Sequence, residues 1–298
     1  MKVIITGGSG LVGTRITQLL LERGDEVINL TTQKDLTSNM KGLTHVYWNP
    51  SKSILDKLSI EGADAAINLA GYNVSNRWTS DNKKKIVESR LESTQLLVQT
   101  MRSLDVAPRI LVSTSASGYY PSSQMQQEEN ATAGSGFLSE LSQKWEQSAE
   151  QIGSKSKLCI LRVSVVLSKK GGALAKLLPL FKWGLGSALG TGRQMMSWIH
   201  IDDLAKMYIH CIDQQLNGIY NACSPAPVTN YTFSKSLATA LKKPFFLPAV
   251  PAFVLKLVLG EMSSMLLESQ NLSSQKIVGT GFRFEYFNID QAFSQIAN

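Results

Sequence analysis

Cysteine is scarce in this chain. Cys159, Cys211 and Cys223 are odd in number and none stand in C-x-x-C spacing, which argues against a disulfide framework and against a zinc site. They read as reduced thiols of a cytoplasmic protein. No secretory leader is visible in the opening Met1-Lys2-Val3-Ile4-Ile5, which lacks both an apolar core region and a cleavage site. A long hydrophobic run is missing too. The most apolar late stretch, 244–260, is interrupted by Pro248, Pro251 and Lys256 and is too short to span a bilayer. A soluble protein without a membrane partner is expected. Charge of one sign is only mildly in excess, with 30 Lys+Arg against 23 Asp+Glu and a net charge of +7. The longest basic run, Lys83–Lys85, reads as a solvated helix face and not as a nucleic-acid footprint. A cleft for a phosphorylated small molecule suits this balance better. P-loop, H-E-x-x-H, EF-hand and G-x-S-x-G patterns are all absent, which sets aside kinase, metalloenzyme and hydrolase chemistry.

What remains is 298 residues, 43% hydrophobic, with 22 glycines and 9 prolines. That is a globular, enzyme-sized chain with material for a large core. Its pattern alternates strand and helix. Val3–Ile5 is an apolar strand, and 11–22 is a helix with Ile16, Leu19 and Leu20 on one face, ended by Gly24. Strands follow at 26–30, 45–48 and 64–69. Thr79 caps a long helix to about Arg102. A strand at 109–113, a helix at 136–152 and a strand at 158–163 complete the run. This rhythm predicts an α/β fold, a Rossmann-type doubly wound parallel sheet covered on both faces. After about residue 165 the rhythm breaks, and Gly171, Gly172, Pro179, Gly184, Gly186, Gly190 and Gly192 mark loops and short elements, with a small substrate lobe expected. A short strand at 219–221 and a helix at about 232–241 follow. The division expected is 1–242 for the nucleotide-binding domain with its lobe, and 243–298 for a C-terminal helical module.

The most informative segment is Thr6-Gly7-Gly8-Ser9-Gly10-Leu11-Val12-Gly13, set between the first strand and the first helix. Gly7 permits a tight turn, Gly10 lets the backbone approach a diphosphate, and Gly13 lets helix pack on strand. The helix N-terminus then offers free N–H groups and a partial positive charge to phosphates. The second strand ends in Leu30-Thr31-Thr32-Gln33-Lys34, with no acid to accept from a ribose 2′-hydroxyl. Hydroxyls and a nearby lysine suit a 2′-phosphate, so NADP is preferred over NAD.

With this loop, the strand end Asn68-Leu69-Ala70-Gly71, the segment Ser113-Thr114-Ser115-Ala116 and Trp198-Ile199-His200-Ile201-Asp202-Asp203-Leu204, the sequence resembles the extended short-chain dehydrogenase/reductases. It is closest to an atypical, epimerase-like branch often labelled nucleoside-diphosphate-sugar epimerase. Arg77-Trp78-Thr79, Ser89-Arg90, Gly118-Tyr119-Tyr120, Trp145-Glu146, Gly192-Arg193-Gln194 and Leu259-Gly260-Glu261-Met262 carry that likeness. The closing Gly281-Phe282-Arg283-Phe284 resembles the end of the branch's C-terminal domain of unknown function. The resemblance implies NADP(H) held by Gly7, Gly8, Ser9, Gly10, Leu11, Val12, Gly13, Thr31, Thr32, Leu69, Ala70, Gly71 and Arg90. It implies oxidoreductase or epimerase chemistry on a small carbonyl or hydroxyl compound, nucleotide-sugar-like in class, with Ser115 in the catalytic serine position.

The usual Tyr-x-x-x-Lys pair is absent. The resemblance puts Leu138 at the tyrosine position, Ser142 at the lysine position and Arg90 at the asparagine position; the branch commonly has cysteine where Ser142 stands. Lys144 lies about 200° round the helix from Ser142 and does not replace the lysine. Tyr119 is the candidate substitute proton donor, or else half of an aromatic pair packed under a loop. Arg90 shares a helix face with Ile86, Thr94 and Leu97 and needs a partner there: a cofactor phosphate, a substrate carboxylate, a carbonyl array or an internal carboxylate. The substrate cleft is expected near Arg193 and Trp198, with Trp198 stacking on the ligand, and His200 is expected to be structural. A homodimer remains open. The rival reading is a non-catalytic NADPH-binding sensor or scaffold that keeps the glycine loop and dispenses with the chemistry.

Overall fold

Val3, Ile4 and Ile5 are all fully buried, so the first strand needs apolar cover on both faces. The computed structural model describes residues 1–34 and 36–297 and supplies that cover. The elements of the first half are β1 (Lys2–Thr6), α1 (Leu11–Glu22), β2 (Glu26–Thr31), β3 (Leu43–Asn49), β4 (Ile54–Leu55), β5 (Ala65–Asn68), α2 (Ser80–Ser103) and β6 (Ile110–Ala116). Then come α3 (Phe137–Glu150), β7 (Lys157–Val163), β8 (Val165–Leu167), α4 (Gly172–Lys182), β9 (Met195–Met196), β10 (Trp198–His200), α5 (Ile201–Asp213), β11 (Gly218–Ala222) and β12 (Val228–Thr229). Helices α6 (Asn230–Ala240), α7 (Ala252–Leu259), α8 (Ser264–Leu267), α9 (Gln275–Gly279) and α10 (Ile289–Ala297) end the chain.

Eight strands form one sheet in the order β11-β7-β6-β5-β1-β2-β3-β4. All its pairings are parallel except the β3–β4 edge. The chain winds outward from β1 through β2 and β3, then returns to β5 on the other side. The crevice between the carboxyl ends of β1 and β5 is therefore the place where a doubly wound sheet takes its ligand. Successive side chains point to opposite faces. Val3, Ile5 and Ile67 pack with Ile16 and Leu20 of α1 and with Leu204, Met207 and Tyr208 of α5. Ile4, Ile28 and Leu111 pack with Leu97 and Met101 of α2. The expected elements from β1 to β7 are all present. Gly24 ends α1 with φ +90°, and the Thr79 hydroxyl caps α2 by accepting the Asn82 N–H at 3.2 Å.

The second half holds more regular structure than the glycine spacing predicts. Pro179 lies inside α4, an eleven-residue helix. A proline there costs the helix about 3 kcal/mol, offset by burial of Leu174, Leu178 and Phe181 along one face. α5 is a thirteen-residue amphipathic helix absent from the sequence reading. Strands β8 and β10 pair in parallel, and β9 and β12 antiparallel. The tail is woven into the rest. Ile277 and Phe282 join the core beneath the main sheet. Phe293 of α10 meets Phe233 of α6 edge to face at 5.0 Å, above Trp198 and Leu174.

His200 ties this tail to the sheet. It is buried, and its Nδ1 accepts the Asp202 N–H at 3.2 Å, capping α5. The ring proton then belongs on Nε2, 3.1 Å from Gln295 Oε1 of α10. Burial lowers the His200 pKa below the ordinary value, against the opposing pull of Asp202. A histidine kept neutral when folded contributes stability that is complete above its unfolded pKa of about 6.5 and is lost as pH falls below it, at up to about 1.4 kcal/mol per pH unit. His210, lowered by burial, acts in the same sense; Asp203, raised by burial, has the opposite sign. The expected result is a wild-type melting midpoint that falls more steeply below about pH 6.5 than that of His200→Gln. Parallel curves for the two proteins would contradict the assignment.

Candidate dinucleotide site at the strand crossover

The glycine loop closes by a hydrogen bond from Gly10 N–H to Gly7 carbonyl oxygen at 3.0 Å. Gly7 holds φ +70°, and a Cβ there would stand 3.0 Å from the Leu69 carbonyl. A Cβ on Gly13 would collide with the Gly7 carbonyl and the Gly8 Cα. Loop, helix and neighbouring strand are thus at the closest approach that lacks side chains. Gly10 is the N-cap of α1, with no side-chain cap and no acid in the first turn. The leading N–H groups of α1 are left for an external acceptor. Beneath the loop, Asn29 Oδ1 is buried with no hydrogen-bond partner, aimed at Gly8 so closely that any Cβ there would overlap it. A side-chain-free cradle and a first helical turn without its own acceptors fit a dinucleotide's diphosphate.

The facing wall is fixed by a polar network that crosses the crevice. Thr6 Oγ1 accepts the Leu69 and Ala70 N–H groups at 3.0 and 3.1 Å and donates to Asn68 Oδ1 at 2.8 Å. Asn68 Nδ2 donates to Thr94 Oγ1 at 2.8 Å, which also takes the Trp145 indole N–H at 3.0 Å. Leu69, Ala70 and Gly71 are held against the glycine loop by these bonds. At the end of β2, Thr31 is half-buried and Thr32 exposed; Thr31 Oγ1 accepts the Gln33 N–H at 3.2 Å, and the Lys34 ammonium lies 5.6 Å from the Tyr47 ring centroid.

A cavity of about 560 Å³ opens beside the loop, lined by Ser9, Gly10, Leu11, Arg15, Lys169 and Lys170 among others. It does not reach Ser115, Tyr119 or Arg90. Gly171 lies on Leu11, where a Cβ would stand 3.3 Å from its side chain. The loop after β8 therefore sits on the glycine loop and brings two lysines, Lys169 and Lys170, into the cavity lining, where no sequence motif marks them. Arg15 is already engaged, with Nε 2.5 Å from Asp202 Oδ1.

Ser115 lies on β6 with its hydroxyl buried, donating to Glu146 Oε1 at 2.5 Å. Arg162 clamps that carboxylate through Nε and Nη2, both at 2.8 Å. The pair is almost wholly inaccessible, at 2% and 6% exposure. Burial works against the Arg162 charge, but the bonds and charge of Glu146 outweigh it and its pKa rises. Arg162 Nη1 reaches the Tyr120 hydroxyl at 2.9 Å and the Glu129 carbonyl at 3.1 Å. The Tyr120 hydroxyl donates to Asn221 Oδ1 at 2.7 Å; burial, only partly countered by Arg162, pushes its pKa up to about 12. Tyr119 stacks on the Arg162 guanidinium, whose central carbon is 3.4 Å from the ring centroid. The cation beside Tyr119 is thus Arg162.

Leu138 packs against Gly118, where a Cβ would come within 2.9 Å of the Leu138 Cβ. The Ser142 hydroxyl returns to its own helix, donating to the Leu138 carbonyl at 2.9 Å. Neither position carries an ionisable group. Arg193 is exposed. Trp198 corrects an expectation: it is 0% exposed, its indole N–H bonded to the Ala226 carbonyl at 2.9 Å. No ring face is open to a ligand, because the tail closes over it. Among the described residues no group of histidine, cysteine and carboxylate side chains is placed to hold a metal ion, and no helix is long and apolar enough to cross a membrane.

A parallel sheet with a glycine cradle at its crossover defines the Rossmann-type nucleotide-binding class. Comparison with known proteins is more specific: the chain belongs to the NAD dependent epimerase/dehydratase family, whose model matches residues 3–223. A domain of unknown function (DUF1731) matches residues 250–296. The human epimerase family protein SDR39U1 is 35% identical over 306 residues, covering 99% of each chain. Its crystal structure with NADPH superposes with a TM-score of 0.90 at 32% identity, covering 100% of this chain and 99% of that one. An epimerase family protein of Staphylococcus aureus (strain MRSA252) is 34% identical over 301 residues, covering 99% of this chain and 98% of its own. A nucleoside-diphosphate sugar epimerase from Corynebacterium glutamicum superposes with a TM-score of 0.80 at 27% identity, covering 100% of this chain and 58% of that one.

Proposed function

We propose that this chain binds NADP(H) in the crevice between β1 and β5 and serves in the cytoplasm as an oxidoreductase or epimerase of a small carbonyl or hydroxyl compound, nucleotide-sugar-like in class. The cradle from Gly7 to Gly13, where a Cβ would clash at Gly8 and Gly13 and where Gly7 holds φ +70°, is the observation that carries the reading. The human relative's structure with NADPH supports the choice of dinucleotide. In this reading the first turn of α1 holds the diphosphate, Thr31 and Thr32 meet the adenosine ribose and its 2′-phosphate, and Leu69–Gly71 and Arg90 back the reaction end. The nicotinamide, when bound, supplies a hydride acceptor or donor. A substrate enters from the side of Arg193.

Ser115 has a defined polarity in this reading. Its proton is committed to Glu146, because an ionised carboxylate only accepts. The Ser115 oxygen is therefore an acceptor and favours a substrate hydroxyl over a carbonyl. Tyr119 stands at the same sheet edge as the remaining proton donor.

Calorimetric titration with NADPH and NADH tests the reading. The expected result is tighter binding of NADPH, with Thr32→Asp reversing the preference. A carboxylate set against a 2′-phosphate costs several kcal/mol, so NADPH should weaken by roughly a hundredfold. Equal binding of both dinucleotides by wild type and variant would contradict the assignment of the β2 end.

A non-catalytic NADPH sensor or scaffold is favoured by one observation, the packing of Leu138 and Ser142 where ionisable groups would be needed. A panel of carbonyl and alcohol substrates separates the readings. Turnover that is lost in Ser115→Ala supports the enzyme; tight dinucleotide binding with no turnover across the panel supports the sensor.

A further inference from the structure

Arg90 is a cation at the crevice with no carboxylate partner among the described residues. It lies on α2, half-buried, with its guanidinium against Gly71 at the end of β5; a Cβ on Gly71 would come within 2.9 Å of the Arg90 Cζ. The Trp145 ring covers it, with Cζ 5.0 Å from the ring centroid, and Trp145 is itself fixed by its bond to Thr94. Nη1 donates to the carbonyls of Tyr72 and Ile86, both at 3.0 Å. No carboxylate among the described residues pairs with it, whereas Arg15, Arg23 and Arg162 all have one. Burial without a counter-charge lowers its pKa to about 10, so it stays protonated at neutrality.

The placement of the open donors is specific. With Nη1 used on main-chain oxygens, the Nε–Nη2 edge meets no acceptor among the described residues. That edge is the two-donor fork that matches a carboxylate or phosphate. Gly71, two residues beyond the Leu69 carbonyl that abuts Gly7, keeps it at the crevice. A side chain held on three sides and open along its bidentate edge is preorganised for an anion.

We propose that Arg90 is an oxyanion site, taking a phosphate or carboxylate group through its Nε–Nη2 edge. The group belongs either to the bound dinucleotide or to a second, anionic ligand lying beside it. The inference deepens the reading above by naming the chemistry at the inner end of the crevice, and it rests on that crevice being the binding site.

The test is calorimetry on wild type and Arg90→Met with two probes: NADPH, and inorganic phosphate added to protein with and without saturating NADPH. Arg90→Gln, which keeps an N–H donor for the two carbonyls, replaces the Met variant if the latter does not fold. Loss of a charge-assisted fork should weaken the affected probe by roughly ten- to a hundredfold. Weakened NADPH binding assigns the group to the dinucleotide. Unchanged NADPH binding with loss of phosphate binding assigns it to a second ligand. A folded variant that matches wild type with both probes overturns the proposal. If wild type binds no dinucleotide, the functional reading fails, and phosphate binding to the unloaded protein still decides the role of Arg90.

Discussion

Arg162→Met should destabilise the fold by about 3–5 kcal/mol, the usual cost of stranding one member of a buried ion pair. Without the guanidinium, the Glu146 carboxylate keeps only the Ser115 hydroxyl at 2.5 Å, in a place where water does not reach. The Tyr120 hydroxyl and the Glu129 carbonyl lose their donor in the same step. Urea unfolding measures the effect as a lower midpoint at unchanged slope. The double variant Arg162→Met with Glu146→Leu should recover most of the loss, because an apolar pair of similar volume replaces a buried ion pair at little cost. A single variant that loses less than about 1 kcal/mol, the range of exposed pairs, would show that solvent reaches the pair.

Gly10→Glu should abolish dinucleotide binding while leaving the fold intact. Gly10 has an ordinary backbone, φ −75° and ψ 172°, and a Cβ there meets only the Gly7 carbonyl at 3.2 Å. A carboxylate at this N-cap interacts favourably with the helix dipole, by about 0.3–1 kcal/mol. It also occupies the position a diphosphate needs. Like charges so placed cost several kcal/mol, so NADPH affinity should fall by roughly a hundredfold or more, with an unchanged or raised melting midpoint. Gly13→Val is the weaker experiment, because its Cβ meets the Gly7 carbonyl and Gly8 Cα and would disturb loop and fold together. Undiminished NADPH binding by Gly10→Glu would remove the glycine loop from the site.

The half of the fold that seats the dinucleotide was legible because its signals are local. The apolar run Val3–Ile5, the glycines that follow and the helical spacing of Ile16 and Leu20 each report on their own element. The helix at 201–213 has clear hydrophobic spacing but no Ser, Thr, Asp or Asn before its first turn to announce it, because its N-cap is His200. Pro179 argues locally against a helix, and the burial of Leu174, Leu178 and Phe181 overrides it. Trp198 carries no mark in the sequence of which neighbour will cover it; Phe233 and Phe293, 35 and 95 residues on, do so. Glu146 and Arg162 lie on α3 and β7, and their separation in sequence holds no pattern. A local signal does exist: an arginine inside the apolar strand Leu158–Val163 requires a buried partner, and Glu146 in Trp145-Glu146 is a carboxylate of the preceding helix. The reach of Arg90 to Gly71 rests on the helix and strand meeting, which spacing along one element does not encode.

A crystal structure grown with saturating NADPH tests the central assignment most directly. The diphosphate is expected over the first turn of α1, its oxygens about 3 Å from the backbone N–H groups that follow Gly10. Dinucleotide bound elsewhere on the molecule, or a glycine loop left empty at saturation, would contradict it.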